Sequence, residues 1–243
     1  MNRTGLIIAL AIAAIAGVVF GVFPQLDLGI SRVFYEIANA NHAMFALRLS
    51  PTVMMLRNVG LWIVTAIVLV VVAALVIKLL LPRRKMFIPG RAVLFLIVTM
   101  ALGPGLLVNV ELKEHWGRPR PIDVTQFGGD QHFVAWWDPR GDCPSNCSFV
   151  SGDVSGAFWT MAPAAVVAPQ WRALAYGAAL LFGTAVGVLR MAAGAHFFTD
   201  VVFAGVFTFL VVWLVHGWLY RWPRTRITDE AAEQAIERIA PKR

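Results

Sequence analysis

The 243-residue chain is poor in charge, with 14% charged side chains where a soluble domain carries about a quarter. That shortage excludes an ordinary water-exposed globule, and a hydrophobic share of 58% places the chain among proteins that cross a membrane several times. Cysteine is nearly absent. Cys143 and Cys147, in CPSNC, are too few for a zinc site, and no nearby histidine pair completes one. If their loop lies outside the cytoplasm, the pair can close a small disulfide. Internal repeats are lacking as well. Acidic residues number 14 against 21 Lys and Arg, for a net charge of +7. These basic residues are not gathered on one amphipathic face or arm, as nucleic-acid binding would ask. They cluster between apolar runs, which is the pattern of cytoplasmic membrane loops.

What the sequence has in abundance is apolar runs long enough to span about 30 Å of hydrocarbon. The clearest are Gly5–Phe23, Val59–Leu81, Ala92–Val110, Val154–Ala168, Ala173–Leu189 and Val201–Trp218. The expected fold is therefore all-α, a polytopic bundle of six transmembrane helices. The first run follows Arg3 as a signal peptide would, but its apolar stretch is long and GVFPQ offers no small-x-small cleavage site, so a retained helix is expected. PRRKMFIPGR (Pro82–Arg91), Arg172 and RWPRTR (Arg221–Arg226) are the basic loops, which puts both termini in the cytoplasm. The segments Pro24–Asn58 and Glu111–Val150 then face outward. The second is long, as functional loops are, and Trp116, Trp136 and Trp137 are expected to anchor it at the headgroups. Residues 1–226 read as one membrane-embedded domain. Residues 227–243 read as a cytoplasmic tail, with Thr228 as N-cap of a short amphipathic helix on the inner surface.

Three polar groups fall at helix ends on the outer side. KEHWGRPRP (Lys113–Pro121) carries cations on a turn stiffened by proline; alone, it could be an anchor for anionic lipids. Ser151 and Gly152 open the fourth helix, where backbone N–H groups can meet an anion, though simple capping by Ser151 or Asp153 fits equally well. RMAAGAHFFTD (Arg190–Asp200) places His196 and Asp200 four residues apart, one helical face if the segment is helical. A carboxylate there can hold one imidazole nitrogen and leave the other free as a nucleophile.

Lys113-x6-Arg120-Pro121, Ser151-Gly152 and Arg190-x5-His196-x3-Asp200 together resemble the three-part signature of the type 2 phosphatidic acid phosphatase superfamily of membrane lipid phosphatases. The resemblance extends over the whole chain, including the early segment FPQLDLGISRVFYE. It implies that Lys113, Arg120 and Arg190 clamp phosphate oxygens, with the Ser151 hydroxyl and the Gly152 N–H completing the cradle. His196 would attack phosphorus to give a phosphohistidine, and Asp200 would fix its tautomer. Arg118 would contact a second phosphate or a sugar hydroxyl. The family needs no metal or other cofactor, because cationic side chains supply the charge neutralisation.

Two positions depart from the family pattern. Leu189 stands where the third motif usually begins with serine. Asp153 stands where the second motif usually has the histidine that protonates the leaving oxygen. Asp153 can be that acid if its pKa is raised well above about 4. Otherwise the leaving group needs no proton, as with a diphosphate, or activity is lost. The loop pieces GRPRP, FGG and NCSF look most like the lipid A phosphatase branch, ahead of phosphatases of undecaprenyl diphosphate or phosphatidylglycerol phosphate. The expected partner is thus a membrane lipid, at the periplasmic face of a bacterial inner membrane. A transporter would show broken helices with midplane polar groups. A silent lipid-binding homologue would need neither His196 nor Asp200.

Overall fold

The computed structural model describes residues 2–37 and 45–239. Residues 38–44 of the expected outer segment and 240–243 of the expected tail lie outside them. Most of the described residues are helical, and none of them forms a strand.

The long helices are α1 (Arg3–Val22), α3 (Pro51–Leu80), α4 (Gly90–His115), α7 (Arg172–Ala192) and α8 (Phe198–His216, continued by Gly217–Arg221). Between them stand α2 (Gln25–Ile37), α5 (Gly152–Trp159) and α6 (Met161–Val166), and α9 (Asp229–Ile239) is the last helix among the described residues. Among the described residues five helices are each long and apolar enough by themselves to cross a membrane. The expected run Val154–Ala168 is instead the pair α5 and α6, broken at Thr160. Pro163 cannot donate to the ladder, and the Thr160 hydroxyl donates to the Ala157 carbonyl at 2.7 Å, so the helix has local reasons to stop and restart there.

Two further boundaries moved. Pro51, favoured at a helix start because it has no N–H to satisfy, begins α3 well before Val59. The stretch Gln25–Ile37 is an amphipathic helix rather than an open loop.

Within α4 the segment Ala101–Leu112 is wound wider than an α-helix and contains Pro104. The Asn109 side chain donates to the Pro104 carbonyl at 2.6 Å, satisfying an acceptor in the altered ladder. The centre of the bundle is α5, which packs on α7 and α8, with α4 against it. Outward faces of α1 and α3 expose Ile7, Ile15, Trp62 and Leu69, as helices bathed in lipid do.

The loop from α4 to α5 is folded over the bundle's end. Trp116 donates to the Trp136 carbonyl at 2.8 Å, Trp136 donates to the Gly17 carbonyl at 3.2 Å, and Trp136 stacks on Phe203 at 4.4 Å. Trp116 and Trp136 therefore clamp the loop onto the protein, and only Trp137, 51% exposed, is free to serve as the expected anchor. Gly117 adopts φ 70°, and a Cβ there would stand 2.9 Å from the Pro139 carbonyl oxygen, so the tight return of the loop requires glycine. Cys143 and Cys147 form a disulfide.

At the opposite end, Thr228 accepts from the Ala231 N–H at 3.1 Å and caps α9. This helix docks on α3 and α4 rather than lying apart. It buries Ala232 and Ile236, and Lys78 reaches Glu237 at 2.6 Å and Glu233 at 3.4 Å.

Candidate active site

The end of α4, the start of α5, the end of α7 and the start of α8 meet beneath the long loop. They bring Lys113, Ser151, Gly152, Arg190, His196 and Asp200 into one region, and Arg120 joins them from the loop. His196 lies in the short bend between α7 and α8 and is 2% exposed. Its Nδ1 stands 2.8 Å from the Ser148 carbonyl oxygen. A carbonyl can only accept, so Nδ1 carries the proton and Nε2 is left with its lone pair. Burial, reinforced by Arg190 and Arg120, outweighs Asp200 and holds the His196 pKa below its ordinary value, which keeps the ring neutral.

Asp200 orients the ring less directly than the motif suggests. Its Oδ2 is 3.7 Å from His196 Nδ1, while the Ser148 hydroxyl donates to that oxygen at 2.5 Å and the Phe197 N–H donates at 2.8 Å. Ser148 thus holds histidine through its carbonyl and carboxylate through its hydroxyl. No local pattern signals this double contact, because Ser148 lies outside the spacing of the motif.

Arg118 does not face the phosphate cradle. It is fully buried: Nη1 donates to Asp200 at 2.6 Å and to Thr199 at 2.7 Å, Nη2 to Asp27 at 2.8 Å, and Nε to the Val134 carbonyl at 3.2 Å. Burial disfavours its charge, yet Asp200 and Asp27 on either side outweigh that and raise its pKa above the ordinary value. With donors on both arms committed, Arg118 acts on the carboxylate of Asp200. Asp27, from α2, also accepts from the Thr199 hydroxyl at 2.6 Å and ties the first outer segment to the site.

The cradle side is cationic. Lys113, Arg120 and Arg190 interact electrostatically with one another. Arg120 Nη2 donates to the Asn146 carbonyl at 2.8 Å. The buried hydroxyl of Ser151 has no hydrogen-bond partner among the described residues. Leaving such a group unmade costs about 1–3 kcal/mol, a cost that a phosphate oxygen would relieve. The first N–H groups of α5 begin at Gly152, at the positive end of the helix. A Cβ on Gly152 would lie 2.6 Å from Asn109 Oδ1, so glycine lets α5 seat against the widened turn of α4.

Asp153 accepts from Arg57 Nε at 2.7 Å, and Arg190 Nε stands 3.3 Å from the same oxygen. Arg57, on α3, escaped the motif reading, which ended its outer segment at Asn58. The available signal was a lone arginine within the first turns of an apolar helix. Among the described residues no group of three or more His, Cys, Asp or Glu is placed to hold a metal ion.

Long apolar helices that enclose a neutral histidine beside a cluster of cations define a membrane lipid phosphatase, a hydrolase of phosphoric monoesters. The chain belongs to the PAP2 superfamily, whose family model matches residues 92–224. It is similar to a lipid A 4'-phosphatase of Francisella tularensis subsp. novicida (strain U112), at 35% identity over 222 residues, 91% of this chain and 98% of the relative. A lipid A 4'-phosphatase of Rhizobium leguminosarum is 43% identical over 104 residues, 43% of this chain and 45% of that protein. The Rhizobium etli protein of the same description is 42% identical over 102 residues, 42% of this chain and 40% of its own. No solved structure matches the chain.

Proposed function

We propose that the chain hydrolyses a phosphate monoester on the headgroup of lipid A, at the periplasmic face of a bacterial inner membrane, through a phosphohistidine. The observation that carries the chemistry is the contact from His196 Nδ1 to the Ser148 carbonyl at 2.8 Å, which leaves Nε2 as a neutral nucleophile beside cations. Lys113, Arg120 and Arg190, with the Ser151 hydroxyl and the Gly152 N–H, hold the phosphoryl oxygens while Nε2 attacks phosphorus. The N–P bond forms as the P–O ester bond breaks.

The leaving sugar oxygen takes a proton. Asp153 supplies it, although in the free protein two guanidinium groups favour its carboxylate form. A bound phosphate dianion draws Arg190 away and repels the negative carboxylate, and both changes favour the acid. Water then attacks phosphorus and passes its proton to the Asp153 carboxylate, the N–P bond breaks, and inorganic phosphate leaves. Asp200, held by Arg118 and Ser148, stabilises the positive ring during both steps.

Lipid A is favoured by the full-length match to the Francisella relative. The basic segments Pro82–Arg91 and Arg221–Arg226 lie at the end of the bundle opposite the site, which supports cytoplasmic termini and a periplasmic site. A disulfide in the loop over the site fits the same side.

Purified protein is to be assayed for phosphate release from lipid A, undecaprenyl diphosphate and phosphatidylglycerol phosphate side by side. Lipid A turned over fastest, with an acid-labile phosphoenzyme trapped in the wild type and activity reduced more than about 10³-fold in His196→Ala, is the expected result. Full activity in His196→Ala without a trapped phosphoenzyme would contradict the mechanism.

A further inference from the structure

A cavity of about 230 Å³ opens between the N-terminal turns of α3 and the C-terminal end of α7. Its lining includes Arg48, Arg57 and Arg190 on one hand and Met54, Leu189 and Ala195 on the other. Ala195 adjoins the nucleophile His196 in the chain, so the cavity is the flank of the cradle that faces α3.

The charge here exceeds what one phosphate needs. Lys113, Arg120 and Arg190 already match a phosphate dianion. Arg57 and Arg48 add two cations, and the carboxylate in ion-pair contact with any of these side chains is Asp153 alone among the described residues. Arg48 makes no ion pair among them, yet it lies close enough to Arg190 to repel it. Arg48 is exposed and the Arg57 side chain is 40% exposed, so water solvates both charges, and an anion that displaces it relieves their repulsion of Arg190. The cavity is several times the volume that one water occupies, about 30 Å³. Met54 of α3, which lines the cavity, is exposed, as is Leu49 in the turn just before α3. A ligand that brings acyl chains along this side would set its headgroup against the arginines.

We propose that this cavity binds a second anionic group of the lipid headgroup, a phosphate or carboxylate close to the phosphate that is cleaved. Arg48 and Arg57 would read that group, and the lipid would enter between α3 and α7. Arg190 is shared between the two subsites. Asp153 holds Arg57 in place until the second anion takes over part of the contact. The inference rests on the phosphatase reading and adds a specificity-determining pair outside the three motifs.

The test compares acyl-matched phosphatidic acid, with one phosphate, and phosphatidylglycerol phosphate, with two, for the wild type, Arg48→Gln and Arg57→Gln in detergent micelles. The quantity read is the ratio of kcat/KM on the two-anion lipid to that on the one-anion lipid. The ratio should fall about tenfold in each variant, chiefly through KM, as expected for one lost charge-assisted contact. An unchanged ratio in Arg48→Gln, whether both rates fall together or neither does, overturns the subsite.

Binding of the full-length His196→Ala protein to phosphatidylethanolamine vesicles doped with either lipid provides a readout independent of turnover. Loss of preference for the two-anion lipid on adding Arg48→Gln supports the subsite even if the wild type hydrolyses neither. Preference retained in that double variant rejects it, and a wild type that hydrolyses no lipid phosphate counts against the phosphatase reading alone.

Discussion

At the residue scale the chemistry turns on which contacts are made by a carbonyl and which by a carboxylate. The Ser148 carbonyl sets the His196 tautomer directly, and Asp200 acts at 3.7 Å through charge. Because burial holds the His196 pKa below its ordinary value, the ring stays neutral as pH falls through about 6.5. The free-enzyme acid limb of kcat/KM that depends on His196 should therefore appear below that value, since the imidazolium has no lone pair to attack with. A histidine limb at or above about 6.5, absent in His196 variants, would rule out a burial-depressed nucleophile. Unfolding should show the same sign. The unfolded histidine takes up its proton first, so stability is retained above about 6.5 and lost progressively as pH drops toward the lower folded value.

Asp153→Asn should lower turnover of a phosphomonoester about 10²-fold and affect a diphosphate much less, because the leaving phosphate needs no proton. Equal small losses on both substrates would leave Asp153 as a holder of Arg57 and Arg190 only. The motif residues were legible in the sequence because their spacing is local. Asp27 and Arg57 were not, since their partners are distant in the chain and no local pattern couples a carboxylate on α2 to an arginine in the long loop.

At the scale of elements, the start of α5 depends on the widened turn of α4. Gly152→Ala would place a Cβ 2.6 Å from Asn109 Oδ1, forcing either the side chain or the helix to shift. Activity should fall at least about tenfold, since a misplacement near 1 Å is costly at a phosphoryl site. Asn109→Ala in the Gly152→Ala background should recover part of it, as measured by phosphate release. No recovery would place the penalty in lost backbone freedom rather than in the clash. The network Asp27–Arg118–Asp200 makes a second such dependence, joining α2 to α8 through the loop. Asp27→Asn removes one partner of a fully buried arginine and should cost about 3 kcal/mol or more in thermal or denaturant unfolding. Arg118→Gln should lower kcat more than KM, as expected of a residue that acts on Asp200 and not on the substrate.

At the scale of the molecule, charge and apolar length decide the layout. Basic segments gather at one end and the site at the other, and single cysteines placed at Arg224 and Gln126 should label from opposite sides of sealed vesicles. Labelling from the same side would reject the proposed orientation. The sequence by itself determined an all-helical membrane protein, the order of its polar motifs and the common end at which they meet. Periodicity, apolar length and motif spacing are properties of adjacent residues. Only the tertiary structure decided that the fourth run is broken at Thr160, that Arg118 turns inward to Asp27 and Asp200, and that Arg57 reaches Asp153. Those outcomes depend on which helices pack together, because a buried charge takes its partner from whatever element the fold places beside it.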